Sequence, residues 1–307
     1  MKPESILVIG SLNMDLVIHT SRIPLPGETI MGSGCDESLG GKGANQAVGA
    51  ARLGSPVRMI GCVGDDGFGQ RLLSGIADAG VDKTTVLTMP GPSGLAIITH
   101  ASSGANSIIV IAGANQQLGE TTLEAHANII QQSAILLLQL ETPMASVVRA
   151  AQIAHTAGVP VVLDPAPAQS LPPELLAAVT WITPNETEAA ELLGISTKDL
   201  SLEAIADRLL ALGTRNVVLK LGERGCYMKG QDCATASHIP SFPVRTIDTT
   251  AAGDCFNAAF ASQLVKGASP AEAARYANAA AAISVTRSGA QASMPNAQEV
   301  EALLSSK

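Results

Sequence analysis

Apolar residues recur along this chain in two patterns, short continuous runs and amphipathic stretches, which alternate over most of its 307 residues. Apolar runs bounded by turn residues predict buried strands at 6–10, 57–63, 134–139, 159–163, 181–183 and 216–221. Apolar residues three and four positions apart predict helices at 44–53, 68–79, 120–132, 144–157, 186–193, 202–212, 255–266, 271–285 and 296–305. Because alternating strands and helices are typical of a parallel sheet covered on both faces, the pattern predicts an α/β fold.

Two segments interrupt this alternation. Residues 15–39 are rich in β-formers and glycine without a helical period, and residues 94–112 predict a hairpin around a turn at 102–106. Neither segment can simply extend a parallel sheet, so we predict that both form a small β-lid on the main domain. The main α/β domain would then comprise residues 1–14, 40–93 and 113–307.

The composition is that of an acidic protein with few aromatic residues. A net charge of −8 and a pI near 5.1 argue against a nucleic-acid binder, which needs basic residues to displace counterions. One Trp, two Tyr and four Phe leave few side chains on which bases could stack. The apolar run after residues 1–4 is too short for a signal peptide, and no run approaches the length of a membrane span. These features, with five cysteines that form no C-x-x-C pair, predict a cytoplasmic protein with free thiols and no membrane partner.

Residues 248–254 combine two carboxylates with a turn of small residues that leads into a predicted helix. The small side chains at 251–253 allow backbone amides to approach a ligand, and the first amides of a helix are unsatisfied donors suited to a developing negative charge. Asp254 would place a base over the same point. The alternative is that Asp254 is an ordinary helix cap. We interpret Cys255, beside it, as a packing residue rather than a thiol of lowered pKa.

A second group of polar residues lies near the N-terminus. We interpret residues 10–15 as a loop after the first strand and residues 40–46 as a glycine turn that enters a helix. These loops would supply the side chains that read sugar hydroxyls, namely Asn13, Asp15, Lys42 and Asn45. Asn, Asp and Gly also favour turns for local reasons, and for Asn13 or Asp15 alone this simpler interpretation is preferred. The glycines on both sides of Lys42 are costly in entropy, and they indicate that the backbone comes close to another group.

The chain has no phosphate-binding loop of the type G-x-x-x-x-G-K-[ST], and the nearest G-x-G-x-x-G candidate, which begins at Gly41, ends in Gln46. Asn185 and Glu188 lie one helical turn apart and share a face, where they could hold a hydrated magnesium ion or a phosphate. A plain helix start would have the same sequence. Residues 220–225 follow a strand and contain glycines that permit close backbone approach, although a tight turn between two strands would look the same.

Three motifs occur in order along the chain: Gly-Gly-Lys-Gly-Ala-Asn at 40–45, Thr-Pro-Asn-Glu-Thr-Glu at 183–188 and Asp-Thr-Thr-Ala-Ala-Gly-Asp at 248–254. Together they resemble the ribokinase branch of the PfkB carbohydrate kinase family, and the resemblance covers essentially the whole chain. It implies a ribokinase-like three-layer α/β/α domain with a mainly parallel central sheet and a small β-sheet lid. It also implies a homodimer in which two lids clasp each other. The chain departs from the family at Ala251 and Ala258, where many members have glycine.

The resemblance implies a role for each motif. Asp254 is the general base, and the amides of Ala252, Gly253 and Asp254 form an anion hole. The sugar is bound by Asn13, Asp15, Gly41, Lys42, Asn45 and Glu141, the last of which follows the strand 134–139 at the carboxyl end of the sheet. Asn185 contacts the phosphates of ATP, and Glu188 orients magnesium through water. The remaining ATP-binding residues are Lys220, Leu221, Gly222, Glu223, Arg224, Gly225, Gly253 and Asn278.

A monovalent cation site is implied beside the anion hole. Asp248 offers a carboxylate just before the turn, and residues 284–293 leave a helix with free carbonyl oxygens, which are ligands that suit an alkali cation. Arg287 and Gly289 could instead merely end the helix. The resemblance implies potassium here, bound largely through backbone oxygens of Asp248, Thr250, Ser284, Arg287, Gly289 and Ser293.

These observations predict an enzyme that uses ATP to phosphorylate the 5-hydroxyl of D-ribose, giving ribose 5-phosphate. A related kinase of the same family that acts on deoxyribose, fructose or a nucleoside would share Asp254 and differ in the sugar loops. A sensor that kept the fold and lost turnover is a further alternative, against which the intact Asp254, Asn185 and Glu188 count. The five histidines have no metal-ligand spacing, and the chain has no G-x-S-x-G motif of a hydrolase.

Overall fold

The computed structural model describes residues 5–306. Its strands are β1 (Ile6–Ile9), β2 (Asn13–Thr20), β3 (Gly34–Gly40), β4 (Val57–Gly64), β5 (Val81–Met89), β6 (Gly94–Ala101), β7 (Asn106–Ile111), β8 (Ile135–Leu138), β9 (Val161–Leu163), β10 (Trp181–Ile182), β11 (Asn216–Lys220), β12 (Cys226–Gly230) and β13 (Ser237–Ile239). Nine of them form one sheet in the order β13-β12-β11-β10-β9-β8-β1-β4-β5. Neighbouring strands from β11 to β5 run parallel, and the β11–β12 and β12–β13 pairs are antiparallel.

Helices cover both faces of this sheet. They are α1 (Lys42–Arg52), α2 (Gly67–Asp78), α3 (Glu120–Ala125), α4 (Ala127–Gln131), α5 (Met144–Thr156), α6 (Pro173–Ala178), α7 (Glu186–Leu193), α8 (Leu202–Ala211), α9 (Ala252–Val265), α10 (Pro270–Ser284) and α11 (Ala297–Ser305). Among residues 5–306, no helix combines the length and the apolar character needed to cross a membrane.

The central strands are apolar on both faces because their side chains enter two cores. Ile6 and Val8 of β1 pack in one core with residues of α1, α2, α9 and α10, whereas Leu7 and Ile9 pack in another with residues of α5, α6 and α8. Alternate side chains of a strand point to opposite faces, so one unbroken apolar run serves both cores. The predicted three-layer α/β/α fold is therefore confirmed.

A second sheet contains four strands in the order β3-β2-β6-β7. Strands β2 and β6 are parallel, and the two outer pairs are antiparallel. Its strands fall in the two segments from which we predicted a small sheet, although β2 and β3 extend slightly beyond residues 15–39 to Asn13 and Gly40. Residues 10–12 alone join β1 of the large sheet to β2 of the small one, and all three are buried.

Several elements differ from the predicted pattern. The helix expected at 120–132 is divided at His126 into α3 and α4. Strands β5, β12 and β13 and the short helix α6 were not predicted. Strand β5 lies at the edge of the large sheet and has the polar sequence Asp-Lys-Thr-Thr near its start, which hides the apolar signal of a buried strand.

Candidate active site

Asp254 lies in the first turn of α9, which begins at Ala252 rather than at Cys255 as predicted. Ala251, just before the helix, has a left-handed backbone with φ 58° and ψ 15°, which alanine rarely adopts. The chain therefore turns sharply into the helix, and Asp254 becomes its third residue. The side chain of Asp254 is buried, with the residue only 4% exposed.

Two amides of α1 hold the carboxylate of Asp254. Asn45 Nδ2 donates to Oδ2 at 3.0 Å, and Gln46 Nε2 donates to Oδ1 at 3.1 Å. Burial raises the pKa of Asp254 to about 6, because the charged form loses its hydration; the ammonium of Lys42 opposes this shift and the carboxylate of Asp164 adds to it. Such a carboxylate is ionised at neutral pH and is a stronger base than an ordinary aspartate.

Two backbone amides beside Asp254 are available to a ligand. Among the described residues, no acceptor takes the amide hydrogens of Gly253 and Asp254, as expected at a helix N-terminus. The amide of Ala252, the third that we predicted for the anion hole, donates to Thr249 O at 3.2 Å. The free donors are thus those of Gly253 and Asp254.

The predicted sugar-binding residues form a buried cluster, but Asn13 and Asp15 belong to strand β2 and not to a loop as we predicted. Glu141 Oε2 accepts hydrogen bonds from Ser11 Oγ and from the backbone N of Lys42 at 3.0 Å, and it lies 3.5 Å from Asn13 Nδ2. Burial, together with the nearby carboxylates of Glu141 and Asp254, raises the pKa of Asp15 to about 7. Several carboxylates and amides therefore converge on one side of Asp254.

The glycines that flank Lys42 approach the protein's own backbone. Gly41 has φ 89°, and a Cβ there would lie 2.6 Å from Asn13 N. A Cβ on Gly43 would lie 2.6 Å from Gly10 C. The inference that these glycines permit close approach is correct, but the group they approach is the β1–β2 connection, on which the first turn of α1 rests.

An open cleft of about 760 Å³ lies on the other side of Asp254. Lys42 and Asp254 line this cleft and also contact the cluster of predicted sugar-binding residues. The predicted nucleotide residues that line it are Asn185, Glu188, Lys220, Gly222, Glu223, Arg224, Gly225, Gly253 and Asn278. Leu221 does not line it, because its side chain is buried in the core below.

Asn185 and Glu188 form a helix start and also line the cleft. They form a capping box at the start of α7, in which Glu188 N donates to Asn185 Oδ1 at 2.8 Å and Asn185 N donates to Glu188 Oε2 at 2.7 Å. They also face the cleft. Burial raises the pKa of Glu188, Lys220 opposes the shift, and Asp164 adds to it.

Residues 220–225 form a tight turn between two antiparallel strands, β11 and β12, which is the simpler of the two interpretations. The turn nevertheless lines the cleft. Gly225 has φ 91°, and a Cβ there would lie 2.1 Å from Ile239 O, so only glycine fits. Asn278 fastens the same region, since its Nδ2 donates to Ile239 O at 3.0 Å and to Pro240 O at 3.3 Å.

Asp164 is the main residue of the site that the sequence analysis missed. Its Oδ1 accepts from Lys220 Nζ at 2.9 Å in a buried ion pair, and its Oδ2 accepts from Gln46 Nε2 at 3.1 Å. Asp164 directly follows β9 at the carboxyl end of the sheet, so the rule that selected Glu141 could also have selected it. Asn115 was missed as well; its Nδ2 donates to Asn13 Oδ1 at 2.8 Å and thereby fixes the orientation of the Asn13 amide.

The segments predicted to bind a monovalent cation are joined through Asp248. Its Oδ1 accepts from Thr250 N at 2.9 Å and Thr250 Oγ1 at 2.6 Å, and its Oδ2 accepts from Gly289 N at 2.8 Å. The hydroxyl of Ser284 donates to Ala281 O and that of Ser293 to Ala290 O, and Arg287 pairs with Glu299. No cluster of three or more His, Cys, Asp or Glu suited to a metal occurs within residues 5–306.

All five cysteines are free thiols, as predicted. Burial raises the pKa of Cys255 to about 12. The thiol beside Asp254 is therefore a packing group and not a nucleophile.

Comparison with known proteins agrees with this geometry. Residues 3–297 match the model of the pfkB family carbohydrate kinases, and the chain belongs to this family. The chain is 44% identical to the ribokinase of Haemophilus influenzae over 298 residues, which are 96% of this chain and 97% of that protein. It is 40% identical to the ribokinase of Schizosaccharomyces pombe over 308 residues, covering 97% of this chain and 96% of that protein. Its structure is similar to that of Arabidopsis thaliana ribokinase complexed with ribose and ATP, with a TM-score of 0.92, 36% identity and 99% coverage of both chains.

Proposed function

We propose that this protein transfers the γ-phosphoryl group of ATP to the 5-hydroxyl of D-ribose, giving ribose 5-phosphate and ADP. The observation that carries the proposal is the position of Asp254, buried between a cluster of amides and carboxylates and an open cleft large enough for a nucleotide. The similarity to ribokinases over nearly the whole chain supports ribose as the sugar.

Asp254 is the general base of the proposed reaction. Its carboxylate takes the proton of the 5-hydroxyl while the hydroxyl oxygen forms a bond to the γ-phosphorus. The bond from the γ-phosphorus to the oxygen that bridges it to the β-phosphorus breaks, and ADP leaves with that oxygen. The free amides of Gly253 and Asp254 donate to the phosphoryl oxygens where negative charge accumulates.

The buried cluster on the sugar side holds the other hydroxyls of ribose. Asn13, Asp15 and Glu141 supply both donors and acceptors, and Asn45 Oδ1 is a buried acceptor that no described residue satisfies. The backbone at Gly41 and the side chain of Lys42 complete this surface. The small sheet acts as a lid, because β2 carries Asn13 and Asp15 on its first residues.

The cleft holds ATP with magnesium. Glu188 and Asp164 place carboxylate oxygens in the cleft, and Asn185 adds an amide, which are the oxygen donors that magnesium prefers. The raised pKa of Glu188 is consistent with a carboxylate that a cation would stabilise. When bound, magnesium neutralises charge on the nucleotide phosphates. The turn at 220–225 and Asn278 hold the nucleotide itself.

A monovalent cation, potassium, binds between residues 248–250 and 284–293. Asp248 already joins these segments, and burial is outweighed by hydrogen bonds from Thr250 and Gly289, which lower its pKa and keep it charged. Turnover in potassium should exceed turnover in a tetramethylammonium buffer of equal ionic strength, and Asp248→Ala should abolish the difference. Equal rates in the two buffers, with trace potassium excluded, would argue against the site.

The active protein is a homodimer that associates through the small sheet. Strand β7 is an edge strand in which Ile108, Ile109, Val110 and Ile111 are 47–62% exposed. A second copy would cover this apolar edge, which otherwise invites nonspecific pairing. Light scattering after size exclusion should give twice the 31.2 kDa chain mass, and Ile109→Lys should give the monomer.

A substrate assay tests the main proposal. ADP release with magnesium-ATP should be fastest with ribose, compared with 2-deoxyribose, fructose and adenosine as acceptors. The product should comigrate with ribose 5-phosphate. A preference for another acceptor would indicate a kinase of the same family with a different substrate. If no acceptor gives ADP, the protein is better described as a sensor that does not turn over.

A further inference from the structure

The amide of Gln46 bridges two buried carboxylates. Its Nε2 donates to Asp254 Oδ1 at 3.1 Å and to Asp164 Oδ2 at 3.1 Å, so both hydrogens of this amide are used. Gln46 is completely buried. It therefore lies between the carboxylate that would accept the sugar proton and the carboxylate that is paired with Lys220 in the nucleotide cleft.

A second glutamine fixes the orientation of this amide. Gln139 Nε2 donates to Gln46 Oε1 at 2.7 Å, which leaves Gln46 Nε2 directed at the two carboxylates. If the Gln46 amide were reversed, its oxygen would face both carboxylates and its NH₂ would face the NH₂ of Gln139. Gly10 makes room for the arrangement, since a Cβ there would lie 2.0 Å from Gln139 Oε1.

We propose that Gln46 is a positioning residue that keeps Asp254 a carboxylate able only to accept hydrogen bonds, and that Gln139 locks Gln46 in the donating orientation. The inference deepens the proposed function, because it rests on Asp254 as the base. An amide that donates to both carboxylates stabilises their charged forms together. Without it, Asp254 keeps Asn45 and Asp164 keeps Lys220 as a donor, but the two carboxylates lose the donor that they share.

The charged and titratable groups around Asp254 come from several elements. They are Lys42 on α1, Asp15 on β2, Asp164 after β9 with its partner Lys220 on β11, and Cys255 on α9. Lys42 is the opposing positive charge, and the carboxylates disfavour ionisation of Asp254. The uncharged Gln46 is thus one of two side-chain amides, with Asn45, that favour the charged base from the side of α1.

The test compares three substitutions of glutamine by methionine, which keeps the length of the side chain and removes its donor. Gln46→Met should move the acid limb of the kcat–pH profile upward by about one unit, a tenfold change in the protonation equilibrium. At high pH its kcat should approach that of the parent. Gln139→Met should shift the limb in the same direction by less, because Gln46 keeps its amide but loses its lock. Gln117→Met is the control, since the exposed Gln117 donates only to Pro90 O outside the site.

A titration that needs no turnover separates this inference from the proposed function. In protein labelled with carbon-13 at the aspartate carboxyl, the Asp254 signal is the one lost in Asp254→Asn, and its pKa should rise in Gln46→Met and less so in Gln139→Met. If the Asp254 pKa is higher in Gln46→Met than in the parent, but the parent phosphorylates no sugar, the bridge through Gln46 is supported and the proposed function is wrong. An unmoved Asp254 titration in folded Gln46→Met, or a loss of kcat that is equal at every pH, would overturn the bridge. If Gln46→Met does not fold, Gln139→Met decides in the same way.

Discussion

On one side of Asp254 lie polar side chains that are largely buried and joined by hydrogen bonds, and on the other side small residues and charged side chains together line an open cleft. The sugar side contains Asp15, Asn13, which accepts from Asn115, and Glu141, which accepts from Ser11. The small residues that line the nucleotide side are Gly222, Gly225, Ala251, Ala252, Gly253, Ala281 and Ala282. Side-chain donors and acceptors at fixed positions select one arrangement of hydroxyls, whereas exposed amides and small residues accommodate phosphates and a flat base by shape.

The largest expected effect is at the point that both sides share. Asp254→Asn removes the base and should lower kcat by about 10²–10⁴, while ribose and ATP still bind. Stopped assays for kcat and calorimetric titration for the two affinities check both parts. Comparable turnover of mutant and parent at saturating substrates would sink the assignment of the base.

The nucleotide side contains the buried ion pair of Lys220 and Asp164. Both side chains are nearly buried, with 12% and 3% exposed. Lys220→Met should lower the free energy of unfolding by about 3–5 kcal/mol, because it leaves a buried charge without its partner. The double variant Lys220→Met/Asp164→Asn should regain part of that loss in urea denaturation. If the double variant is no more stable than the single one, the unpaired charge is not the cause.

We expect the buried carboxylate of Asp15, on the sugar side, to lower the free energy of unfolding as the pH rises. Its pKa is raised from 3.8 to about 7 by burial and then by Glu141 and Asp254, so its favourable contribution is complete below pH 3.8 and is lost as the pH rises through about 7. Asp15→Asn should therefore gain about 2 kcal/mol relative to the parent between pH 5 and pH 8, and its KM for ribose should rise.

Thermal melts at the two pH values measure the change in stability, with the exposed Asp78→Asn as the control. A difference between Asp15→Asn and parent that is the same at both pH values would show that Asp15 titrates normally.

The smallest effect concerns the turn into α9. Ala251→Gly removes the cost of a left-handed alanine, about 1–2 kcal/mol, and adds the entropy cost of glycine, about 0.5–1 kcal/mol. The difference between these two costs predicts a rise of about 0–1.5 kcal/mol in the free energy of unfolding. Ala252→Gly, one residue into the helix, should lower it instead. If denaturant titrations show that Ala251→Gly and Ala252→Gly lower the free energy of unfolding equally, the backbone of Ala251 is not strained.

Much of this comparison could be predicted from the sequence, because it rests on local patterns. The apolar runs at 6–10 and 134–139 predicted the central strands β1 and β8, and the small residues before Asp254 indicated the start of a helix. The bridge through Gln46 could not be predicted, because its two partners, Asp164 and Asp254, lie 118 and 208 positions further along the chain. Strands β12 and β13 were missed for a related reason: their sequences, Cys-Tyr-Met-Lys-Gly and Ser-His-Ile, form no continuous apolar run, and they are held by antiparallel pairing.

The joint at residues 10–12 has a consequence for protein engineering. This connection is buried, and it leads directly into Asn13. Its Ser11 Oγ also donates to Glu141, so the small sheet cannot be transferred without regard to the residues around it. A chimaera that exchanges β2, β3, β6 and β7 between two members of the family would carry Asn13 and Asp15 with it and leave Asp254 and the cleft behind. It would also need the Asn115 of the same donor, because this residue holds both Leu12 and Asn13. Lys42, Asn45 and Glu141 would stay with the recipient. Sugar preference should then depend on both the transplanted sheet and the recipient, and nucleotide use on the recipient alone.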